Sequence, residues 1–295
     1  GPQAYFFNLA NKLPLAKVIT EKIIGIHKKR QMPEISTYTF ESWFKKRVSN
    51  STKSRGKILF FHDTHINFIH PEVGKATVKI LEAAGYEVEI TNRKCCGRTM
   101  ISKGLLDDAK KNVNYNTKLL YDYVEKGIKI IGVEASCVSA MQDEFPDLAD
   151  EKEKAKKISE NTFTVQDLLI QIQDDGNQQI NWNSLDKDLL LFVHCHERAL
   201  NGTNNSLGSL NLPNKFNAKL IDAGCCGMAG SFGMEKEHYE ISKKMAEDRL
   251  LPSIENSKEN QEIIVTGISC HDQIKDLSHK KPKYLVEVLA EAIDS

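Results

Sequence analysis

The sequence predicts an α/β fold made of two pseudo-symmetric repeats, with mainly parallel sheets flanked by helices, and an N-terminal helical arm before them. Apolar runs of strand length alternate along the chain with segments of helical periodicity, and this order is typical of parallel sheets. The rare tripeptide Cys-Cys-Gly occurs at positions 95–97 and again at 225–227 of the 295 residues. Two copies of a rare tripeptide in equivalent places indicate an internal duplication.

The arm is predicted over residues 1–55. Large aliphatic residues recur at helical spacing between positions 13 and 24, and a basic loop that contains Pro33 follows them. We interpret this segment as a helical arm that packs on the body or joins it to something upstream. A helix that belongs to the core is the alternative. Gly1-Pro2 is typical of a protease-cleavage remnant, so we expect the natural chain to continue upstream.

The first repeat is predicted over residues 56–175. Its first helix is expected to begin at Pro71 and to stop at Gly85, because proline suits the first position of a helix and glycine the position after its end. A second helix and three strands complete the repeat. The strands are predicted over 58–61, 86–91 and 128–133, and the second helix over 106–124.

The second repeat is predicted over residues 186–295, after a polar linker that starts near residue 174. Its helix over 235–250 is expected to stop at Pro252, because proline lacks the N–H that an interior helical position needs. The order of strands and helices matches that of the first repeat. The strands are predicted over 189–193, 218–221 and 263–265.

The cysteines come just past the ends of predicted strands in both repeats. In parallel sheets, sites gather at the carboxyl ends of the strands, so the cysteines of one repeat are expected to lie together. Alignment of the repeats sets Thr64 opposite Cys195. Thirty residues separate Thr64 from Cys95, and 29 separate Cys195 from Cys225. The intervals from each pair to the last cysteine of its repeat are 40 and 43 residues, which supports the duplication.

Adjacent cysteines indicate metal or iron–sulfur chemistry. Neighbouring residues reach disulfide geometry only with strain, whereas two adjacent thiolates can reach different irons of one cluster. The second repeat offers four thiol ligands, together with glycines that let the backbone approach a bound group closely. These candidate residues are Cys195, Cys225, Cys226, Cys270, Gly224 and Gly227.

The first repeat offers a weaker second site, because Thr64 occupies its leading position. A histidine, His62 or His65, is a candidate fourth partner for its three cysteines. These cysteines are Cys95, Cys96 and Cys137. The alternative is a degenerate repeat that keeps Cys-Cys-Gly for packing. If the two repeats face each other, both motifs are expected to line one shared crevice.

Composition excludes several classes of function. Forty basic and 40 acidic residues balance, so the chain has no electrostatic footprint for nucleic acid. No apolar run reaches the roughly 18–20 residues that span a bilayer, and the chain does not begin with a signal-peptide pattern. Seven cysteines, an odd number clustered in motifs, fit a reducing compartment better than a secreted disulfide scaffold. The glycines from Gly227 to Gly233 lack the pattern of a nucleotide-binding loop.

The order of a cysteine, Cys-Cys-Gly and a final cysteine, at these intervals, resembles the cysteine-rich CCG domain. That domain occurs, usually in tandem, in heterodisulfide reductase B subunits, glycolate oxidase iron–sulfur subunits and lactate-utilisation proteins. It is also the C-terminal region of large FAD-linked oxidases that act on D-2-hydroxy acids. The resemblance covers roughly residues 57–295, and the segments 70–74, 95–98 and 222–232 are most similar to this last group.

The resemblance implies a cysteine-rich electron-transfer module of a flavin-linked oxidoreductase for 2-hydroxy acids of the glycolate or D-lactate type. It implies a [4Fe-4S] cluster held mainly by the four cysteines of the second repeat. FAD would be bound only in a missing upstream domain, and the partners would be upstream FAD and ferredoxin-like domains or subunits. The module itself would not need to turn over substrate. We expect it to be cytoplasmic and to reach the inner face of a membrane only through partners.

The sequence departs from the motif of the heterodisulfide reductases, which ends in Cys-x-x-Cys. Glu134 and Gly267 stand three residues before the last cysteines of the two repeats. Two alternatives therefore stay open. One is a structural zinc-binding domain for subunit interaction, with the four cysteines of the second repeat as its ligands. The other is a thiol–disulfide redox module, which the loss of Cys-x-x-Cys disfavours.

Overall fold

The computed structural model describes residues 2–11, 13–49, 51, 55–176 and 180–293. The described strands form two four-stranded sheets, in which neighbouring strands run parallel. They are β1 (Lys57–Phe60), β2 (Glu87–Glu89), β3 (Lys129–Gly132), β4 (Thr162–Thr164), β5 (Lys187–Phe192), β6 (Phe216–Leu220), β7 (Glu262–Val265) and β8 (Lys283–Tyr284). The spatial order is β2-β1-β3-β4 in one sheet and β6-β5-β7-β8 in the other. The predicted two-repeat α/β fold is confirmed.

Helices flank both sheets. The helices of the arm and of the first sheet are α1 (Pro2–Asn11), α2 (Pro14–Ile24), α3 (Phe40–Phe44), α4 (Thr64–Phe68), α5 (Pro71–Ala83), α6 (Arg98–Ser102), α7 (Leu106–Val124), α8 (Ala135–Ser139), α9 (Phe145–Leu148), α10 (Lys152–Glu160) and α11 (Val165–Asp174). Those of the second sheet are α12 (Cys195–Leu200), α13 (Asn204–Leu210), α14 (Tyr239–Asp248), α15 (Leu250–Glu255), α16 (Ile268–Leu277) and α17 (Leu285–Glu291). In the part of the chain that the structure describes, none of these helices is long and apolar enough to cross a bilayer.

We call β1 to α11 the first half and β5 to α17 the second half. Their central strands are continuous apolar runs, because a strand covered by helices on both faces buries its side chains on both sides. In β1, Ile58, Leu59 and Phe60 are fully buried. Helix α5 begins at Pro71, and Gly85 follows its end with a φ of +91°, in the left-handed region, so both predicted signals are confirmed.

Each sheet has a fourth, outer strand that the sequence analysis did not predict. Strands β4 and β8 contain three and two residues, which is too short for a periodic pattern, and their pairing with β3 and β7 defines them. The predicted helix over 235–250 is also wrong in its bounds. Helix α14 runs from Tyr239 to Asp248, and Pro252 lies in the first turn of α15, where its missing N–H costs no helical hydrogen bond.

One apolar core runs through both halves and includes buried side chains of β1 and β5. Helix α5 of the first half packs against α17 of the second. The Nζ atom of Lys79 on α5 donates to the carbonyls of Ala290 and Ile293, at 3.2 and 2.8 Å. The halves are therefore packed on each other in addition to being joined by the linker.

The arm contacts both halves. Phe40 on α3 is fully buried in the core of the first half, with its ring centroid 5.5 Å from that of Phe60. The loop after α2 lies on the second half, where Ile26 forms an antiparallel bridge with Glu235 and His27 stacks on Tyr239 with ring centroids 3.9 Å apart. These contacts come from α3 and from the loop after α2, whereas the aliphatic side chains of α2 are exposed.

Arg30, in this same loop, is the most buried charged residue among the described residues of the arm. Its guanidinium donates to the Gly233 carbonyl at 2.7 Å, to Gln273 Oε1 at 2.6 Å and to Ser242 Oγ at 2.9 Å, and it lies 3.3 Å from the Asp276 carboxylate. A buried guanidinium that donates to several partners holds them in one arrangement. Arg30 therefore fastens the arm to the second half, in addition to the contacts of Ile26 and His27.

Substitution of Arg30 by alanine is expected to lower the free energy of unfolding by about 3–5 kcal/mol, because it leaves the buried Asp276 without its cation. Arg249→Ala is the matched control, since the ion pair of Arg249 with Asp222 is exposed and should contribute at most about 1 kcal/mol. Chemical denaturation of the two variants measures both values. Equal effects would show that the arm is not fastened at Arg30.

Candidate metal centre

The four cysteines of the second half lie together at the carboxyl ends of its strands. Cys195 begins α12 after β5, the pair follows β6, and Cys270 lies in the first turn of α16 after β7. Their sulfur atoms form a row. The thiols of Cys195 and Cys226 both donate to Cys225, and Cys226 also contacts Cys270. The structure thus brings together all four of the predicted thiol ligands.

This row favours one thiolate. Hydrogen bonds from the Cys195 and Cys226 thiols, with a weaker one from the Gly227 amide at 3.4 Å, lower the pKa of Cys225 to about 2. The pKa values of Cys195 and Cys226 are raised, first because each donates to Cys225 and then because burial disfavours a second negative charge. Metals bind thiolates, so a lowered pKa at Cys225 suits a metal ligand.

A cavity of about 400 Å³ lies beside this row and is lined from both halves. The second half contributes Cys195, Cys225 and Cys226 to its wall. The residues that the first half contributes are His65, Arg98, Thr99, Ser102 and Ser136. Three neighbouring sulfurs that border a cavity of this size fit a thiolate-bound cluster.

The spacing of the sulfurs differs from that of a closed zinc site. A tetrahedral zinc ion, with Zn–S distances of about 2.3 Å, holds its sulfurs roughly 3.8 Å apart. All seven cysteines are among the described residues, and no three of their sulfur atoms lie within 4.8 Å of one another. In this structure the cysteine sulfurs are therefore not arranged as a closed tetrahedral set.

The three cysteines of the first half are arranged differently. The Cys96 thiol donates to Cys137 at 2.9 Å, and both side chains are buried in an apolar cluster with Leu59 and Phe61. A hydrogen bond from Cys96 lowers the pKa of Cys137, but burial and neighbouring carboxylates raise it more, to about 11. The first motif is therefore a packed group of protonated thiols in this structure.

The two histidines considered as partners of the first motif serve other contacts. His62 is buried, with its Nε2 atom 2.9 Å from Glu41 Oε1 on α3 and its ring packed against Phe40. His65 borders the cavity beside the second motif. We expected both motifs to line one shared crevice. The structure has a cavity between the halves, and the cysteines that line it belong to the second motif.

Backbone conformation explains why the third residue of each tripeptide is glycine. Gly97 and Gly227 have φ values of +89° and +88°, in the left-handed region that favours glycine. A Cβ atom at Gly227 would also lie 2.3 Å from the Ser242 carbonyl of α14, whereas one at Gly224 would meet open space. Packing on α14 therefore explains Gly227, while Gly224 leaves room beside the pair.

Arg198 stabilises the backbone that leads into the cysteine pair of the second motif. Its guanidinium donates to the carbonyls of Ala223 and Gly224, the two residues directly before the cysteine pair. The side chain of Gln273 supports the pair from the other side, since its Nε2 donates to the Cys226 carbonyl at 2.8 Å. Gln273 in turn accepts from Arg30, so the arm contacts the pair through one intermediate residue.

Glu134 connects the two halves at the site, and the sequence analysis did not predict this role. Its Oε1 atom accepts from the Ser136 hydroxyl at 2.7 Å in α8, and its Oε2 accepts from the Ile268 amide at 2.8 Å, at the start of α16. One carboxylate of the first half thus caps two helices, each of which carries the last cysteine of its motif. Burial, with the nearby charge of Asp63, raises the pKa of Glu134 to about 7.

Gly267 and His194 fit around this carboxylate. A Cβ atom at Gly267 would lie 2.7 Å from the His194 ring and 3.3 Å from Glu134 Oε1, so only glycine fits there without displacement. His194 is buried, and burial lowers its pKa to about 4, so its ring is neutral. Its Nδ1 atom accepts from the His196 amide at the start of α12, which makes His194 a helix cap.

The profile of a family described as "Cysteine-rich domain" (CCG) matches residues 60–142 and 189–275, which together make up more than half of the chain. The chain belongs to the cysteine-rich CCG domain family. The two matched segments cover the cysteines of the first and second halves in turn. The predicted resemblance is confirmed.

Several proteins of known function are similar to the chain. It is 27% identical over 296 residues to the C subunit of anaerobic glycerol-3-phosphate dehydrogenase from Escherichia coli (strain K12), and the match covers 99% of this chain and 73% of that protein. It is 25% identical over 308 residues to D-2-hydroxyglutarate dehydrogenase of Haemophilus influenzae, covering 99% of this chain and 29% of that protein. It is also 25% identical over 229 residues to lactate utilization protein A of Bacillus subtilis, covering 72% and 87%.

Replacement of Glu134 by glutamine is expected to change how stability depends on pH. A carboxyl whose pKa is raised by folding binds its proton more tightly in the folded state, so its contribution to stability falls as pH rises from the ordinary glutamate pKa to about 7. The wild-type free energy of unfolding, minus that of Glu134→Gln, should therefore fall between about pH 4.5 and about pH 7.

The exposed Glu259→Gln is the control for this difference. Denaturant titrations at several pH values give the free energies. A wild-type-minus-variant difference for Glu134 that rises with pH, or that stays as flat as the control, would contradict the role assigned to the buried carboxylate.

Proposed function

We propose that this chain is an iron–sulfur electron-transfer module of a flavin-linked oxidoreductase, with the cluster held by the four cysteines of the second half. The observation that carries the proposal is that Cys195, Cys225 and Cys226 line one wall of the cavity between the halves, with Cys270 packed in the same cluster as the cysteine pair. Membership of the CCG family and the oxidoreductases among its relatives support the same class of function.

The residues around the row have defined tasks in this proposal. The four sulfurs bind iron, and a bound cluster would accept and release single electrons. The Gly227 amide donates toward Cys225 and stabilises its negative charge. Arg198 and Gln273 hold the backbone on the two sides of the pair, so the sulfurs stay in place in both charge states.

The proposed class of substrate is inferred from the names of the similar proteins. Their names point to dehydrogenation of glycerol 3-phosphate, dehydrogenation of D-2-hydroxyglutarate and utilization of lactate, and all three compounds carry an alcohol group. We infer that a flavin domain or a separate flavoprotein oxidises a 2-hydroxy acid or a related alcohol, and that this chain receives the electrons. FAD and ferredoxin-like domains or subunits are the proposed partners, in the cytoplasm or at the inner face of a membrane through a partner.

A second candidate function is thiol–disulfide redox chemistry. The Cys225 thiolate is in contact with the thiols of Cys195 and Cys226, and a thiolate beside a thiol is the arrangement in which a disulfide can form and open. The Cys195–Cys225 pair would be the redox couple in this case. The same metal-loading experiment separates the two functions, because a disulfide module works without iron.

Anaerobic reconstitution with iron and sulfide is expected to load about four irons per chain, in keeping with a [4Fe-4S] cluster. Cys225→Ser should lose most of the iron, because it removes the thiolate at the centre of the row. Cys95→Ser is the matched control, since Cys95 holds the same place in the first tripeptide and is also half-buried. Iron and acid-labile sulfide assays, with paramagnetic resonance of the reduced protein, provide the readout.

Equal loss of iron in both variants would contradict the assignment to the second motif. Wild-type protein that takes up no iron without oxygen would contradict the iron–sulfur function itself. Stoichiometric zinc without visible absorbance would favour the structural zinc alternative. Iron-free protein that reduces a disulfide when supplied with a dithiol donor would favour the second candidate.

A further inference from the structure

We propose that His70, His271 and Asp272 form a second cation site, for a divalent transition metal of the Zn²⁺ class, which joins the two halves and is independent of the cysteine row. One ligand atom from each of these side chains lies within 4.8 Å of the other two. Among the described residues, this is the grouping of metal-ligand side chains that meets that spacing. The site goes beyond the proposed electron-transfer function, which does not use these residues.

The fold assembles this site from distant parts of the chain. His70 directly precedes α5 in the first half, whereas His271 and Asp272 lie in the first turns of α16 in the second half. Packing of α5 on α17 brings the two segments together. The His70 and His271 ring centroids are 5.1 Å apart. A bound ion would therefore connect the halves directly.

An aromatic wall orients the two imidazoles. The ring of Tyr284 is buried and stacks on His271 at 5.2 Å between centroids, with an angle of 18°. The same ring lies 5.5 Å from that of His70. Since both imidazoles rest against one fixed ring, their nitrogens are held near each other with limited rotation, which lowers the entropy lost when an ion binds.

The hydrogen bonds select the ligating nitrogen of His70. Its Nδ1 atom lies 2.9 Å from Glu72 Oε1. A carboxylate that accepts the Nδ1 proton leaves the lone pair on Nε2, which is the arrangement around histidines that bind metals. The His271 Nδ1 atom lies 3.0 Å from Asp272 Oδ1, so a carboxylate is also within reach of the second imidazole.

The chemistry of the donors selects the class of cation. Two imidazole nitrogens and one carboxylate oxygen suit zinc and its neighbours, whereas calcium and magnesium prefer oxygen ligands alone. The side chains of His70, His271 and Asp272 are 17%, 12% and 24% exposed, so an ion can enter from solvent.

The local charge also favours a cation. The Glu72 carboxylate lies 2.9 Å from His70 Nδ1, and the Glu287 carboxylate on α17 accepts from the amide of Tyr284, whose ring contacts both imidazoles, at 2.8 Å. A divalent cation at the two histidines would neutralise this concentration of carboxylates.

Cobalt(II) titration of the reduced, iron-free protein tests the site, because its spectrum distinguishes the ligands. Cobalt bound by nitrogen and oxygen gives weak visible bands, whereas cobalt bound by cysteine adds intense thiolate charge transfer. We expect one equivalent of cobalt with the weak bands alone, in addition to any that binds the cysteines. His70→Ala should weaken this binding by at least about tenfold, since it removes a ligand.

His279→Ala is the control, because His279 lies just past α16 and outside the cluster. Asp272→Asn is a second test variant, which keeps the shape of the side chain and removes its charge. Zinc should raise the melting temperature of wild type and His279→Ala more than that of His70→Ala or Asp272→Asn. The proposal is overturned if all bound cobalt shows thiolate charge transfer, or if both test variants bind like wild type.

Discussion

The carboxylate of Glu134 is the interaction on which the arrangement of the site depends. It belongs to the first half, yet it caps the first turn of α16, which carries Cys270 of the second half. With its other oxygen it caps α8, which carries Cys137. Helix starts have N–H groups without helical partners, and one carboxylate here serves two of these starts. The carboxylate of Glu134 therefore helps to position the last cysteine of each motif.

The surroundings of Glu134 follow from this role. Gly267 has no side chain because His194 and Glu134 already occupy the space that a Cβ atom would need. His194 stays neutral, because burial lowers its pKa, and it caps α12 just before Cys195. The two positions where the heterodisulfide reductase motif has further cysteines thus hold a carboxylate and a glycine. Glu134 and Gly267 contribute to the packing contact between the two halves.

The halves share a fold and differ in the chemistry of their thiols. In the first half, Cys95 donates to Cys96 and Cys96 donates to Cys137, and burial with nearby carboxylates keeps the Cys137 thiol protonated as well. In the second half, two thiols donate to the same sulfur, and Cys225 becomes a thiolate. The leading cysteine makes this difference, because Thr64 stands in the place that Cys195 has in the second half. Local patterns predicted the main strands and the long helices α5 and α7, and the repeated spacing of the cysteines predicted which of them meet, since the carboxyl ends of parallel strands lie at one edge.

Long-range contacts were beyond this reasoning. No local pattern marks Glu134 as a buried group, and its partner Ile268 is 134 positions away. Arg30 belongs to a basic loop in the sequence, and its partners lie more than 200 residues further on. The two histidines of the second cation site meet because α5 packs on α17, and no local spacing predicts that packing. The short strands β4 and β8 could not be predicted either, because only their pairing with the longer strands β3 and β7 defines them.

The most direct test of the central claim is anomalous diffraction at the iron edge from crystals of the chain reconstituted without oxygen. The predicted result is iron density in the cavity between the halves, in contact with Cys195, Cys225 and Cys226. Iron beside the cysteines of the first half, with none at the second motif, would contradict the claim. So would crystals of reconstituted protein in which neither group of cysteines holds iron.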